Sequence, residues 1–319
     1  MTADDNDPLV RHLAELAKGL DTENIPIILG GGMSLYLRQK FLSGRNPRYP
    51  FDLPARSTAD LDIFLSSRLI ADAGKIESLR RVIGRLGYSV VPEAKNFQFA
   101  KKIMLYGQER TIKIDLLAAP PHGEDLSLVS VHGLRIKPRG AAGIHSYLTD
   151  ESEGIELGKL SVDPGFLEPS LALKNKILFI PSAFNFLILK LHAFNDRKND
   201  EARDLGRHHA WDIFATVVRM GEVDWTAAKE QLADHATRLY IKKSAEIRKT
   251  DFSVRTALGL LRLRENEAYK RERELYDKYL EPFIEDLAAL LPGFYHQESA
   301  PKRTVKESLW AWPRSPIIE

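Results

Sequence analysis

"ADLDIFL", Ala59 to Leu65, alternates Asp60, Asp62 and Phe64 with Leu61, Ile63 and Leu65. Side chains two apart in a strand project to the same side, so the stretch reads as a strand with one apolar face and two aspartates pointing together from the other. Downstream, "FQFAKKIMLYG" and "RTIKIDLLAAP" read as two more strands joined by a short turn at Gly107, the second carrying Asp115. Upstream, "IILGGGMSLYL", Ile27 to Leu37, runs an apolar strand-like segment into three glycines, after which Met33, Leu35, Leu37 and Phe41 continue as a helix. A first helix starts at Pro8 and ends near Leu20, and another occupies Ala71 to Leu86, stopped by Gly87. The expected fold class is α/β (α+β): a mixed sheet with helices over residues 1–165, then a mainly α-helical part over 166–319, with the boundary in "SVDPGFLEPS".

In the second half, "NKILFIP" is a candidate further strand, and "SAFNFLILKLHAF" is a strongly apolar helix with Ser182 as its cap. Helical patterns then succeed one another from about Asp200 to Leu291. A chain of 319 residues, 44% hydrophobic with a net charge of +2, can bury a substantial core and most naturally makes two domains. The absence of cysteine excludes disulfides, thiolate zinc sites and cysteine nucleophiles, so any metal must sit on oxygen or imidazole. The acidic start "MTADDNDPLV" lacks the basic and then apolar character of a secretory signal, and no apolar run is long enough to span a bilayer. The expectation is a cytoplasmic protein with no membrane partner.

The chemistry gathers on the aspartates. Asp60 and Asp62 on one strand face, with Asp115 on a neighbouring strand, can grip a divalent cation, and carboxylate oxygens suit Mg2+ or Mn2+. The strand-to-helix turn at Gly31 and Gly32, with Ser34 in the first helical turn, can present backbone N–H groups and a helix dipole to a phosphate. Taken singly, each feature has a plain structural alternative: a glycine turn is needed wherever a strand feeds tightly into a helix, and Asp-x-Asp also describes a solvated strand face.

Their order is more specific. At "GGGMS", "TADLDIFL" and "IKIDLL" the sequence resembles the DNA polymerase beta-like nucleotidyltransferases, and "NFLILKLHAFNDRKNDEARDLGRHHAWDIFATV" resembles the signature of the AbiEii/MenT nucleotidyltransferase toxins within that superfamily. The resemblance covers roughly residues 25 to 220. It implies a polymerase beta-like nucleotidyltransferase fold and the metal-dependent transfer of a nucleotidyl group from a nucleoside triphosphate to an acceptor hydroxyl. The implied acceptor is RNA, a tRNA 3′ end, and the implied role is that of a bacterial toxin or phage-defence effector partnered by a winged-helix antitoxin. By the same resemblance Lys190 meets the triphosphate, Asp212 helps complete the active site, and Arg56 in "RSTADLD" contacts phosphate. The segment between Arg197 and Asp212 is longer and more charged than the family pattern, which leaves Asp204 as a competitor for Asp212. Alternative readings are the same chemistry on a small molecule or a protein, or a nucleotide-binding regulatory protein without turnover.

Other residues admit a bland and a sharp reading. Lys190 interrupts an apolar helix, so it either snorkels to the surface or faces an anion. His208 and Asp212, four apart, form either a helix-surface pair or a metal site. The loop after Phe41, with Arg45, Arg48 and Arg56, and the basic helical segments between Arg238 and Lys278 are either solvated faces or a surface for nucleic acid.

Overall fold

In a computed structural model the described residues are 8–42, 46, 48–54, 60–94, 96–105, 108–139, 144–163, 165 and 173–293. Gly107, Arg45 and Arg56 lie outside them. The chain is a mixed α/β protein. Helix α1 (Pro8–Thr22) leads into strand β1 (Ile27–Leu29), which feeds α2 (Gly31–Phe41); β2 (Asp60–Phe64) comes next, then α3 (Ser67–Ala71), α4 (Ala73–Arg85) and β3 (Ser89–Val90). The long hairpin β4 (Gln98–Leu105) and β5 (Gln108–Ala118) precedes the short strands β6 (Val129–His132), β7 (Arg135–Pro138), β8 (Ser146–Leu148), β9 (Leu160–Ser161) and β10 (Leu178–Ile180). Among the described residues only helices come after β10: α5 (Ala183–Arg197), α6 (Arg207–Arg219), α7 (Glu222–His235), α8 (Leu239–Asp251), α9 (Leu258–Glu265), α10 (Glu267–Arg271), α11 (Arg273–Lys278) and α12 (Leu280–Leu290).

Among the described residues the strands form a single sheet in the order β6-β7-β8-β5-β2-β1-β10-β9, with the β3–β4 pair attached to β5. It is mixed: β2 with β5, β5 with β8 and β1 with β10 are parallel, while the hairpins are antiparallel. The alternation of β2 explains its layering. Leu61 and Ile63 are buried in a core that also contains Leu13 and Leu16 of α1 and Leu79 and Val82 of α4. Phe64 points to the opposite face, where it joins Ile28 and Ile155, with Leu189 of α5 packed against them. One face of the sheet is thus covered by α1 and α4, and part of the other by α5.

A second apolar cluster draws on α5, α6 and the later helices, and reaches back to Leu35, Tyr49 and Leu53. Its centre is aromatic: the Phe214 ring lies 5.2 Å from Phe283, 5.7 Å from Tyr276 and 5.8 Å from Trp211. Strand β10, although it lies beyond residue 165, pairs with β1 in the sheet. Ser182 caps α5 by accepting from the Asn185 N–H at 3.2 Å, and Gly87 ends the turn after α4 in a left-handed conformation. Among the described residues no helix is long and apolar enough to cross a membrane.

Candidate active site

The parallel pairing of β2 with β5 sets Asp62 directly beside Asp115, and Asp60 beside Lys113. Asp62 and Asp115 are half-buried and line a cleft of about 310 Å3, while Asp60, two residues before Asp62 on the same strand face, is exposed at the sheet's end. On its other side β5 meets Gln98 of β4, whose Nε2 donates to Asp115 Oδ1 at 2.7 Å. Burial pushes the Asp115 carboxyl up to about 6, against the Gln98 hydrogen bond, and repulsion from Asp62 and Asp60 adds to the rise. Among the described residues no group of three or more His, Asp or Glu side chains is arranged to hold a metal ion. Asp62 and Asp115 instead form an in-register pair at the cleft.

The glycine turn abuts the pair. Gly30 N–H donates to the Asp62 carbonyl at 2.7 Å, and Gly31 opens α2 with φ +58, where a Cβ would stand 1.8 Å from Asp62 Oδ2. Only glycine meets both demands, a left-handed backbone and contact with a carboxylate. Gly31 lines the cleft. Gly32 and Ser34 are buried in α2 and do not, and among the described residues the Ser34 hydroxyl has no hydrogen-bond partner. The helix starts so abruptly that Ser34 N–H already closes the first turn on the Gly30 carbonyl.

The facing wall is built by α5 and the turn and helix after it. Lys190 is 5% exposed and reaches the cleft with its Nζ 2.8 Å from Asp212 Oδ2 of α6 and 5.1 Å from the centre of the Phe186 ring. Asp212 is fully buried and lies behind Lys190, outside the lining, so its effect on the cleft runs through the lysine. Asp204 makes its ion pairs with Arg207 and His208 instead, so Asp212 is the aspartate that accompanies Lys190. Arg197 and Arg203 also line the cleft, together with Glu151, Asp196 and His209. Arg197 Nη1 donates to His209 Nε2 at 2.6 Å, which makes that nitrogen an acceptor. Glu151 is lifted above the ordinary carboxylate range, chiefly by burial and further by Asp196 and Asp150.

Lys190, Ala193 and Arg197 recur at helical spacing on α5, so Arg197 was within reach of a sequence reading as the next cation on Lys190's face. Arg203 was not: it enters through a turn, Glu201–Gly206, in which Asp204, Leu205 and Gly206 all take positive φ. Part of the basic surface expected to meet nucleic acid is paired with carboxylates among the described residues. Arg48 is tied to Asp286 and Glu285 of α12, and Arg238, Arg255, Arg264 and Lys270 each pair with a carboxylate.

No protein-family model matches the chain, and no curated protein does. A function must therefore be read from the cleft: two adjacent carboxylates on the sheet, a glycine held against one of them, and opposite them Lys190, Arg197 and Arg203 among the carboxylates Glu151 and Asp196, with Lys190 paired to Asp212 and Arg203 to Asp200.

Proposed function

We propose that the chain is a metal-dependent nucleotidyltransferase that moves a nucleotidyl group from a nucleoside triphosphate to an acceptor hydroxyl. The observation that carries this reading is the in-register pair Asp62 and Asp115, faced across one cleft by Lys190, Arg197 and Arg203. A triphosphate needs cationic side chains on its outer oxygens and a hard metal on its inner ones, and the two walls offer one each.

Asp62 and Asp115 would hold Mg2+ or Mn2+. Both donors are carboxylate oxygens, their repulsion would be relieved by a hard divalent cation, and the adjoining cleft leaves room for substrate oxygens to complete the coordination, so the pair fits such an ion as a two-carboxylate site. When bound, the ion neutralises triphosphate charge and lowers the pKa of the attacking hydroxyl. The protein's own groups do the rest. Lys190, oriented by Asp212, and the two guanidiniums hold the oxygens of the departing pyrophosphate. Gly31 keeps the wall beside Asp62 free of a side chain that would block a phosphate. Glu151 and Asp196 are the cleft carboxylates left to receive the acceptor's proton. The new bond joins the acceptor oxygen to the α-phosphorus as the bridge to the β-phosphate breaks.

The resemblance at "GGGMS", "TADLDIFL" and "IKIDLL" supports the finer reading, an RNA acceptor at a tRNA 3′ end in a toxin or phage-defence system. The test is incubation of the purified protein with each α-labelled nucleoside triphosphate, magnesium and total bacterial RNA. Label in a tRNA-sized band is the expected result. Absence of transfer from every nucleotide to RNA, protein or small hydroxyl acceptors would sink the enzyme reading and leave a nucleotide-binding protein.

A further inference from the structure

A second concavity opens on the same face of the sheet, beyond the cleft and toward the β6 edge. It has a volume of about 560 Å3 and is lined by His132, Arg135, Lys137 and His145 together with the rings of Phe97 and Tyr147. The register shows how they come together. His132 pairs with Arg135, Arg135 with Tyr147, Tyr147 with Leu117, and Leu117 with Phe64, one row across β6, β7, β8, β5 and β2. Because residues two apart share a face, Asp62 and Asp115 stand on the same side as this row. Lys137 shares that side with Arg135, and both are half-buried, whereas Ile136 and Pro138 between and beyond them are buried. Tyr147 lines both concavities. Two strand spacings, roughly 10 Å, separate Arg135 from the strand of Asp115.

The groove combines cationic side chains with aromatic rings. Among the described residues Arg135 and Lys137 make no ion pair, and Glu93 is the only acid in the lining. Burial lowers the pKa of His145, and the neighbouring Lys137, Arg135 and His132 lower it further. The Phe97 and Tyr147 rings lie 5.4 Å apart and are tilted by 44°. Cations that track phosphates, interleaved with rings that offer faces to bases, make a surface for single-stranded nucleic acid. A protein partner of matching charge would have no need of the ring pair.

We propose that this groove binds the terminal nucleotides of a single-stranded nucleic-acid acceptor, with phosphates on Arg135 and Lys137 and a base against the Phe97 and Tyr147 rings, so that the strand's end passes Tyr147 into the cleft. Delivery of the end into the cleft rests on the nucleotidyl-transfer reading; binding in the groove does not.

The experiment is fluorescence anisotropy of a short labelled single-stranded RNA, and of DNA of the same sequence, across a salt series, with magnesium–ATP binding measured in parallel by calorimetry. The full chain is compared with Arg135→Glu/Lys137→Glu, with Phe97→Ala, and with Lys242→Glu/Lys243→Glu on the basic helix α8, all checked for wild-type melting. The groove double variant should bind the RNA at least about tenfold more weakly, with a salt slope shallower by about 1.4 for two lost phosphate contacts. Phe97→Ala should cost about tenfold with the slope unchanged, and the α8 variant should bind as wild type. A preference for RNA or for DNA identifies the acceptor's sugar, equal binding shows a groove that reads phosphates and bases alone, and each supports the groove. Wild-type binding by the groove double variant, an equal loss in the α8 variant, or equal competition by polyglutamate of the same charge would overturn the proposal. Failure of magnesium–ATP binding alone would remove the nucleotidyl-transfer reading and leave the groove standing.

Discussion

Asp115→Asn removes one charge from the carboxylate pair while keeping its shape, since the amide oxygen can still accept from Gln98. In the folded protein the Asp115 carboxyl titrates at about 6 instead of 3.8, and at 1.36 kcal/mol per unit its ionisation costs the fold about 3 kcal/mol near pH 7. A carboxyl that holds its proton more tightly in the folded state stabilises the fold fully below the unfolded value and loses that contribution as pH rises through the folded one. The variant should therefore unfold at nearly the wild-type denaturant concentration at about pH 4, differing by roughly 0.5 kcal/mol, and become the more stable protein above about pH 7. The gain of about 3 kcal/mol is an upper bound, because solvent screens the part of the carboxylate it reaches. Urea unfolding in metal-free buffer over this range reads the difference directly. Added magnesium should narrow the gap by stabilising wild type alone, and nucleotide transfer by the variant should fall by orders of magnitude. A variant no more stable than wild type above pH 7, or one whose gain does not change with pH, would refute the account of the pair as two charges held together at a cost.

Gly31→Ala places a methyl group where Asp62 Oδ2 stands and forces a left-handed alanine; it should destabilise by about 1–2 kcal/mol from the backbone alone and abolish metal-dependent nucleotide binding, and calorimetry showing wild-type binding by the folded variant would contradict it. Lys190→Met strands the buried Asp212 carboxylate and should cost about 3–5 kcal/mol, whereas the double variant Lys190→Met/Asp212→Asn should recover much of that loss. A denaturation double-mutant cycle in which the two costs simply add would show that the ion pair is not coupled.

Features set by contacts between near neighbours in the chain were legible from residue order alone. The alternation in β2, the Ser182 cap, the Gly87 stop and the strand in "NKILFIP" are of this kind, as is the shared face of Asp60 and Asp62. The pairing of Asp62 with Asp115 needs the register of two strands more than fifty residues apart, which periodicity cannot supply. Strands β6, β7 and β8 are three or four residues long and polar on their outer face, too short for a period-two signal to stand out. Ser34 faces inward because α2 begins at Gly31 itself, a boundary that a glycine run leaves open by a residue or two, and Arg203 depends on a left-handed turn with no sequence signature of its own.

Strand β10 has a consequence for the order in which the molecule can be built. During synthesis the chain appears N-terminus first, and until residues 178–180 arrive β1 has β2 on one side and a bare row of N–H and C=O groups on the other. The segment that closes this edge runs through Pro181 straight into the Ser182 cap of α5, so Lys190 arrives within three helical turns. Sealing the sheet and roofing the cleft are thus coupled in chain order, and the acidic floor beneath Lys190 stays uncovered until α5 has followed β10.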